Sequence, residues 1–184
     1  MPQLSNLYFV SSNRHKYDEA KNILTSRGIS IRFYKSELEE IQSNSLKKIA
    51  LRKAIQAYAK IKKPIIVEDD GLSINPLNGF PGPYSSYVFK TIGNKGILNL
   101  LDNEREATFI SIISYYDGHN SKSFVAEING TISKTVQGMG WGYDPIFIPE
   151  KSKRTFAELT NKNELSHRYL ALNKFANWYL HMMK

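Results

Sequence analysis

The chain has no cysteine, which excludes disulfides, thiolate nucleophiles and zinc–thiolate sites while leaving the compartment undecided. No apolar run approaches the roughly 20 residues that a membrane-spanning helix needs. The start, Met1 to Asn6, lacks the pattern of a signal peptide, so the expectation is a soluble, cytoplasmic protein with no membrane partner. Internal repeats, low-complexity tracts and long linkers are also missing. Acids are the scarcer charge, 17 against 25 basic side chains, for a net charge of +8. That excess favours an anionic partner without naming it. The basic residues are dispersed, and the densest groups, Lys60 with Lys62 and Lys63, and Lys151 with Lys153 and Arg154, are short. Without a basic stripe, nucleic acid is not an expected partner. What remains is a chain of 184 residues with an ordinary apolar fraction, enough for a single domain with a real core.

Against this scarcity of acid stands Glu68-Asp69-Asp70, directly after the apolar run Ile65-Ile66-Val67. Three acids at the end of a buried strand are costly unless a cation neutralises them. Clustered carboxylate oxygens suit a hard divalent cation, and Mg2+ usually brings a phosphate with it. The run therefore points to metal-assisted phosphate chemistry; the plainer reading is a solvated strand-to-loop corner. A calcium loop of the EF-hand type is excluded, because its alternating acids and terminal Glu are absent.

Periodicity and turn residues divide the chain into alternating elements. Strands are expected at Leu7 to Ser11, Ile31 to Tyr34 and Pro64 to Glu68. Helices are expected over Lys16 to Arg27, ended by Gly28, and after the cap Ser45, with Leu46, Ile49, Ala50, Ala54, Ala57, Tyr58 and Ile61 on one face. A helix over Ile92 to Leu101 follows. A hairpin of Thr108 to Tyr116 and Lys122 to Gly130 turns about Asp117-Gly118-His119-Asn120. A short strand at Ile146 to Ile148 and a helix from about Leu165 to Met182 end the chain. The pattern predicts an α/β fold whose mixed sheet is parallel early and antiparallel later. In open α/β sheets, ligands bind beyond the carboxyl ends of strands, where Ser11-Ser12-Asn13 and the acidic run are both expected.

Four further clusters carry chemistry. Ser11-Ser12-Asn13-Arg14-His15-Lys16 opens a helix, so Asn13 and Lys16 can face one phosphate; an ordinary capped helix start explains them equally well. Lys53, among Ala50, Ala54 and Ala57, either snorkels or points inward as a phosphate ligand, with Glu40 just ahead of its helix. Gly140-Trp141-Gly142-Tyr143-Asp144 is a core aromatic before a turn, or a flat ring beside a carboxylate that reads a purine. Ser166-His167-Arg168 opens the last helix with either surface groups or two donors aimed at a carbonyl oxygen.

Taken together, these segments resemble the inosine triphosphate pyrophosphatase family of non-canonical purine nucleoside triphosphatases. The resemblance runs from Ser11 to Arg168 in the family's order. It rests on Ser11-Ser12-Asn13-Arg14-His15-Lys16 with Glu19, on Val67 to Leu72, on Gly79-Phe80-Pro81-Gly82-Pro83-Tyr84-Ser85, and on Gly140 to Phe147. Thr155-Phe156-Ala157-Glu158-Leu159 and Ser166-His167-Arg168 complete it, and the run Gly79 to Leu101 is most similar to archaeal members.

The resemblance implies one two-lobed catalytic domain over residues 1–184, an elongated mixed sheet with flanking helices, a central substrate cleft and a homodimer. It implies Mg2+-dependent hydrolysis of ITP, dITP or XTP to the monophosphate and pyrophosphate. Glu40 and Asp69 are expected to hold Mg2+, with Glu68 nearby, and Asp69 to orient or deprotonate the attacking water. Asn13, Lys16 and Lys53 are expected on the triphosphate, with Ser11, Ser12 and Asp70 beside it. Trp141, Gly142, Tyr143, Asp144, Lys162, His167 and Arg168 are expected around the base. Asp144 accepts from N1–H of a 6-oxopurine, and His167 with Arg168 donates to O6; adenine reverses both patterns. Guanine shares both groups with hypoxanthine, and no residue of the sequence is assigned to refusing its 2-amino group.

Three positions depart from the family: Ser12 for Gly, Asp70 for Thr or Ser, and Trp141 for Phe. Two rivals are a Maf-like pyrimidine triphosphate pyrophosphatase, disfavoured by Asp144 with Ser166-His167-Arg168, and a basic nucleic-acid-binding protein. Steep salt dependence would mark the latter.

Overall fold

Two short polar residues set where the helices of the first half begin. Asn13 caps α1 (Arg14–Ser26) by accepting from the backbone N–H groups of His15 and Lys16. Ser45 caps α2 (Leu46–Ile61) by accepting from that of Lys48. Gly28, at φ +75°, supplies the left-handed residue beyond α1. The computed structural model describes residues 7–182, so the reading of Met1 to Asn6 lies outside the described residues.

Seven strands make one mixed sheet: β1 (Tyr8–Ser11), β2 (Arg32–Lys35), β3 (Ile65–Ile74), β4 (Pro81–Gly82), β5 (Glu106–Tyr116), β6 (Ser121–Ile132) and β7 (Phe147–Pro149). Their order is β2-β1-β3-β5-β6-β7, with β4 on β3 beside that path. β1 is parallel to both neighbours, Phe9 lying opposite Phe33 on one side and Ile66 on the other. β4 and β7 pair antiparallel with β3 and β6. The α/β class with a mixed sheet and helices is thus as expected.

Three elements differ from expectation, each for a local reason. β3 does not stop at Glu68 but runs through the acids to Ile74. It can do so because Glu68 and Asp69 have cationic partners and because buried Leu72 and Ile74 resume the apolar alternation. An unexpected helix, α3 (Ser85–Thr91), comes before the one expected over Ile92 to Leu101, which is α4 (Gly93–Asn99); Gly93, left-handed at φ +61°, lies at their junction. The last helix is α6 (His167–Met182), close to the expected range, and a short unexpected helix, α5 (Lys162–Leu165), precedes it, the two separated by Ser166, extended at φ −73° and ψ 158°.

The chain forms two compact units. One comprises the chain up to Asp69, Ser111–Ala126 and the chain from Arg168 onward. Its core packs Phe9, Ile66, Ile113, Leu172 and Phe175, with Val10, Ala54 and Val67 in a smaller cluster. The other comprises Asp70–Ile110 and Glu127–His167, around Leu72, Ile74, Ile97, Phe147 and Phe156. Among the described residues, no helix is long and apolar enough to cross a membrane.

Candidate active site

In the first unit, Lys53 sits between two carboxylates. Its Nζ donates to Glu40 Oε1 at 2.5 Å and to Asp69 Oδ1 at 2.7 Å. α2 carries Lys53 on its alanine-lined face, where the residue is 8% exposed, and β3 presents buried Asp69 opposite it. Burial pushes the Asp69 carboxyl above its ordinary range; Lys53 and Lys16 pull the other way, and Glu40 adds to the rise. Lys16 therefore belongs to this group. Asp69 Oδ2 is buried with no hydrogen-bond partner.

A divalent cation fits these residues. The available donors are hard carboxylate oxygens, one of them buried and unsatisfied. Among the described residues there is no group of three or more His, Cys, Asp or Glu side chains able to hold a metal. Two carboxylates without further protein ligands suit Mg2+, which keeps several waters and takes oxygens from substrate phosphates.

Glu68 is not brought to this group. Consecutive strand residues point to opposite faces, so Glu68 turns away from Asp69. Arg168 Nε donates to both Glu68 oxygens at 2.8 Å, and Ser111 Oγ donates to Oε1 at 2.9 Å. Arg168 Nη1 donates in turn to Glu19 of α1. This buried network ties α6, β3 and α1 together and contains Arg168 where the sequence suggested a base contact. Replacing Glu68 with Ala leaves Arg168, 1% exposed, without its main counter-charge. Unfolding in urea should register a loss of about 3 kcal/mol, the low end for breaking a buried pair, because Glu19 remains. An unchanged midpoint and slope would mean that the network does not hold the fold.

The first loop reads locally as a capped helix start. Asn13 Oδ1 accepts from His15 N at 2.9 Å and Lys16 N at 3.5 Å, and Asn13 N donates to Ser11 Oγ at 3.0 Å. Those helix N–H groups are thereby used internally. Ser12 is exposed.

The second unit carries the aromatic cluster. Lys162 Nζ lies 2.5 Å from Asp144 Oδ2 and 5.5 Å from the Trp141 ring centroid, so Trp141, Asp144 and Lys162 form one group. Asp144 is 5% exposed. Tyr143 is a core residue whose hydroxyl donates to Ser85 O at 2.8 Å. Burial, with a smaller contribution from Asp70, raises its ionisation above the ordinary range. Gly142, at φ +62°, makes the turn, and Asn94 Nδ2 donates to its carbonyl at 3.0 Å. His167, 2% exposed, stacks on Phe109 with centroids 4.0 Å apart and planes 9° from parallel, which sets the direction of its ring. Sequence reasoning missed Ser111 and Asn94. Asn94 follows the helix-breaking Gly93, a weak signal; Ser111 has none beyond its place on a strand.

The profile of the Ham1 family matches residues 7–178. A protein of Methanopyrus kandleri named dITP/XTP pyrophosphatase is 49% identical over 177 residues, covering 93% of this chain and 94% of its own. One of the same name from Thermococcus kodakarensis is 44% identical over 177 residues, covering 94% of this chain and 96% of its own. The solved structure of a HAM1 protein from Coxiella burnetii superposes with a TM-score of 0.83 at 27% identity, covering 96% of this chain and 99% of that one.

Proposed function

The chain belongs to the Ham1 family, and from that premise we propose that it is a hydrolase of triphosphate anhydride bonds that converts dITP, ITP and XTP to monophosphate and pyrophosphate. The observation that carries the reading is Asp69, a buried carboxylate beside Lys53 and Lys16 with one oxygen lacking a hydrogen-bond partner.

Asp69 and Glu40 would hold Mg2+. That ion, when bound, supplies charge neutralisation on the phosphates and a more acidic water. Asp69 directs the water at the α-phosphorus and draws its proton. Lys53, fixed by two carboxylates, holds Asp69 in place and offers its remaining N–H to phosphate, while Lys16 and the Asn13 amide offset charge on the departing pyrophosphate. Ser11 and Ser12 border the phosphates. Glu68 acts at a distance, by fixing β3 through Arg168.

In the second unit Trp141 stacks on the base, Asp144 accepts from N1–H, and His167 donates to O6. Gly142 and Tyr143 shape the turn that presents them, and Asp70 lies beside Tyr143. A cytoplasmic homodimer completes the reading, and sedimentation checks the dimer.

The test is pyrophosphate release with Mg2+ from ITP, XTP, GTP, ATP, dUTP and UTP in parallel. ITP and XTP should be fast and ATP slower by several orders of magnitude. Preference for uridine nucleotides would keep the phosphate chemistry and reject the roles of Asp144 and His167. No release from any of them would reject the enzyme reading.

A further inference from the structure

We propose that Thr155 is a positioning residue for base recognition, and that the turn it opens is the template against which the loop of residues 133–146 is set. The inference rests on the reading above, in which Trp141 and Asp144 meet the purine. That loop has neither helix nor strand along its length, so hydrogen bonds at particular points set its shape. Gln137 N donates to Pro145 O at 2.8 Å, which closes the loop at its base. The 3-10 turn Phe156–Glu158 with its cap Thr155 holds the loop at two points, one on each side of Trp141. Before the ring, the Thr155 hydroxyl donates to Gln137 O at 3.0 Å. After it, Ala157 N donates to Asp144 O at 3.2 Å.

Burial and a second attachment suit Thr155 to this task. The residue is fully buried, so its hydroxyl is committed to protein partners. Its N–H donates to Glu158 Oε2 at 2.8 Å, its hydroxyl lies 3.0 Å from the same oxygen, and its side chain accepts from Glu158 N. This capping box fixes the turn itself. Phe156, also buried, anchors the turn in the core beside Phe147, with ring centroids 5.2 Å apart. The loop then lies flat on the turn. A Cβ at Gly140 would come 3.0 Å from Ala157 Cβ, and one at Gly138 would come 2.9 Å from Glu158 Cγ and 3.0 Å from Ala157 Cβ. The backbone on both sides of Met139 is therefore pressed against Ala157, with no room there for a larger side chain. Thr155-Phe156-Ala157-Glu158 thereby acquires a role in the reading: it holds Trp141 and Asp144 in place before a base arrives. A loop ordered in advance loses less freedom on binding. One that wanders binds in proportion to the fraction of time spent in the competent shape.

The experiment compares Thr155→Val, which keeps the shape of the side chain and removes the hydroxyl, with Thr155→Ser, which keeps the hydroxyl. Time-resolved anisotropy of Trp141 in the free protein, in a Trp178→Phe background, reads the order of the loop without turnover. In Thr155→Val it should gain a fast component relative to wild type. KM for ITP should rise by about tenfold with kcat within about twofold of wild type, since the competent shape is populated less but is itself unchanged. Inhibition by pyrophosphate, which the reading places in the other unit, should stay the same. Thr155→Ser should match the wild type in all three. Ala157→Val, at a half-buried position where the added methyl groups meet Gly140, displaces the loop while leaving the hydroxyl in place. It should raise KM in the same way, and it decides the matter if Thr155→Val does not fold. Unchanged KM and anisotropy in a folded Thr155→Val, or in Ala157→Val, would overturn the inference and leave the proposed activity standing. A loss shared by Thr155→Ser, or one that weakens pyrophosphate inhibition equally, would make Thr155 a merely structural residue and overturn it too. If the wild type acts on neither ITP nor XTP, the proposed activity falls, and the role of Thr155 in base recognition falls with it.

Discussion

Replacing Asp69 with Asn should lower turnover of ITP by at least about a hundredfold, the low end for a positioned general base, without unfolding the protein. Asparagine preserves the shape of the side chain and its oxygen still accepts from Lys53, whose other contact, Glu40 Oε1 at 2.5 Å, is untouched. What disappears is the negative charge needed to hold a cation and the capacity to take a proton from water. Stability separates this loss from misfolding. Burial raises the Asp69 carboxyl above its ordinary range, so the folded state binds its proton more tightly than the unfolded chain does. Such a group contributes stability that is present at pH below the unfolded value and is lost as pH rises through the folded value. Above the folded value the wild type has lost that contribution. Asparagine, always neutral, has no such loss, so in chelator the melting temperature of the variant should gain on that of the wild type as pH rises through the folded value. The margin should shrink as pH falls from the raised folded value toward the ordinary carboxylate range. Near-normal turnover with unchanged Mg2+ dependence would remove Asp69 from the centre of the mechanism.

The parts of this protein legible in the sequence are those written in neighbouring residues. Asn13 and Ser45 announce their helices because a cap acts on the next three residues, and Gly28 ends α1 for an equally local reason. Lys53 lies buried, as its alanine neighbours suggest. The acidic run reads in the sequence as a strand end, because three acids inside a strand are costly unless neutralised. The neutralising partners are distant: Arg168 reaches Glu68 from 100 residues away and Ser111 from 43. Nothing in the run itself records them. The contact of Lys162 with Asp144, 18 residues earlier, is likewise absent from any local pattern, although the resemblance places both residues around the base.

Substituting Asn for Asp144 should take about a hundredfold off the preference for ITP over ATP, chiefly by lowering ITP and partly by raising ATP, since one mismatched buried polar group is worth about 1–3 kcal/mol. Hypoxanthine donates from N1 and accepts at O6, whereas adenine accepts at N1 and donates from its amino group. On the proposed reading adenine would fail twice against Asp144 and His167, and two such failures would together account for discrimination on the order of ten-thousandfold. A carboxylate only accepts, but an amide both accepts and donates. In Asp144→Asn the oxygen can remain with Lys162, now 2.5 Å away in the wild type, and the new amino group is left to face N1. It opposes hypoxanthine and matches adenine. His167, stacked on Phe109, is unaffected and keeps the second half of the discrimination, so the preference should shrink without inverting. The kcat/KM ratio for ITP and ATP, measured on wild type and variant, decides the matter. A ratio that stays constant while both rates fall together would show that Asp144 supports the loop around Trp141 without reading N1. A ratio that collapses toward unity would mean that Asp144 alone reads the base, and that His167 contributes only its packing against Phe109.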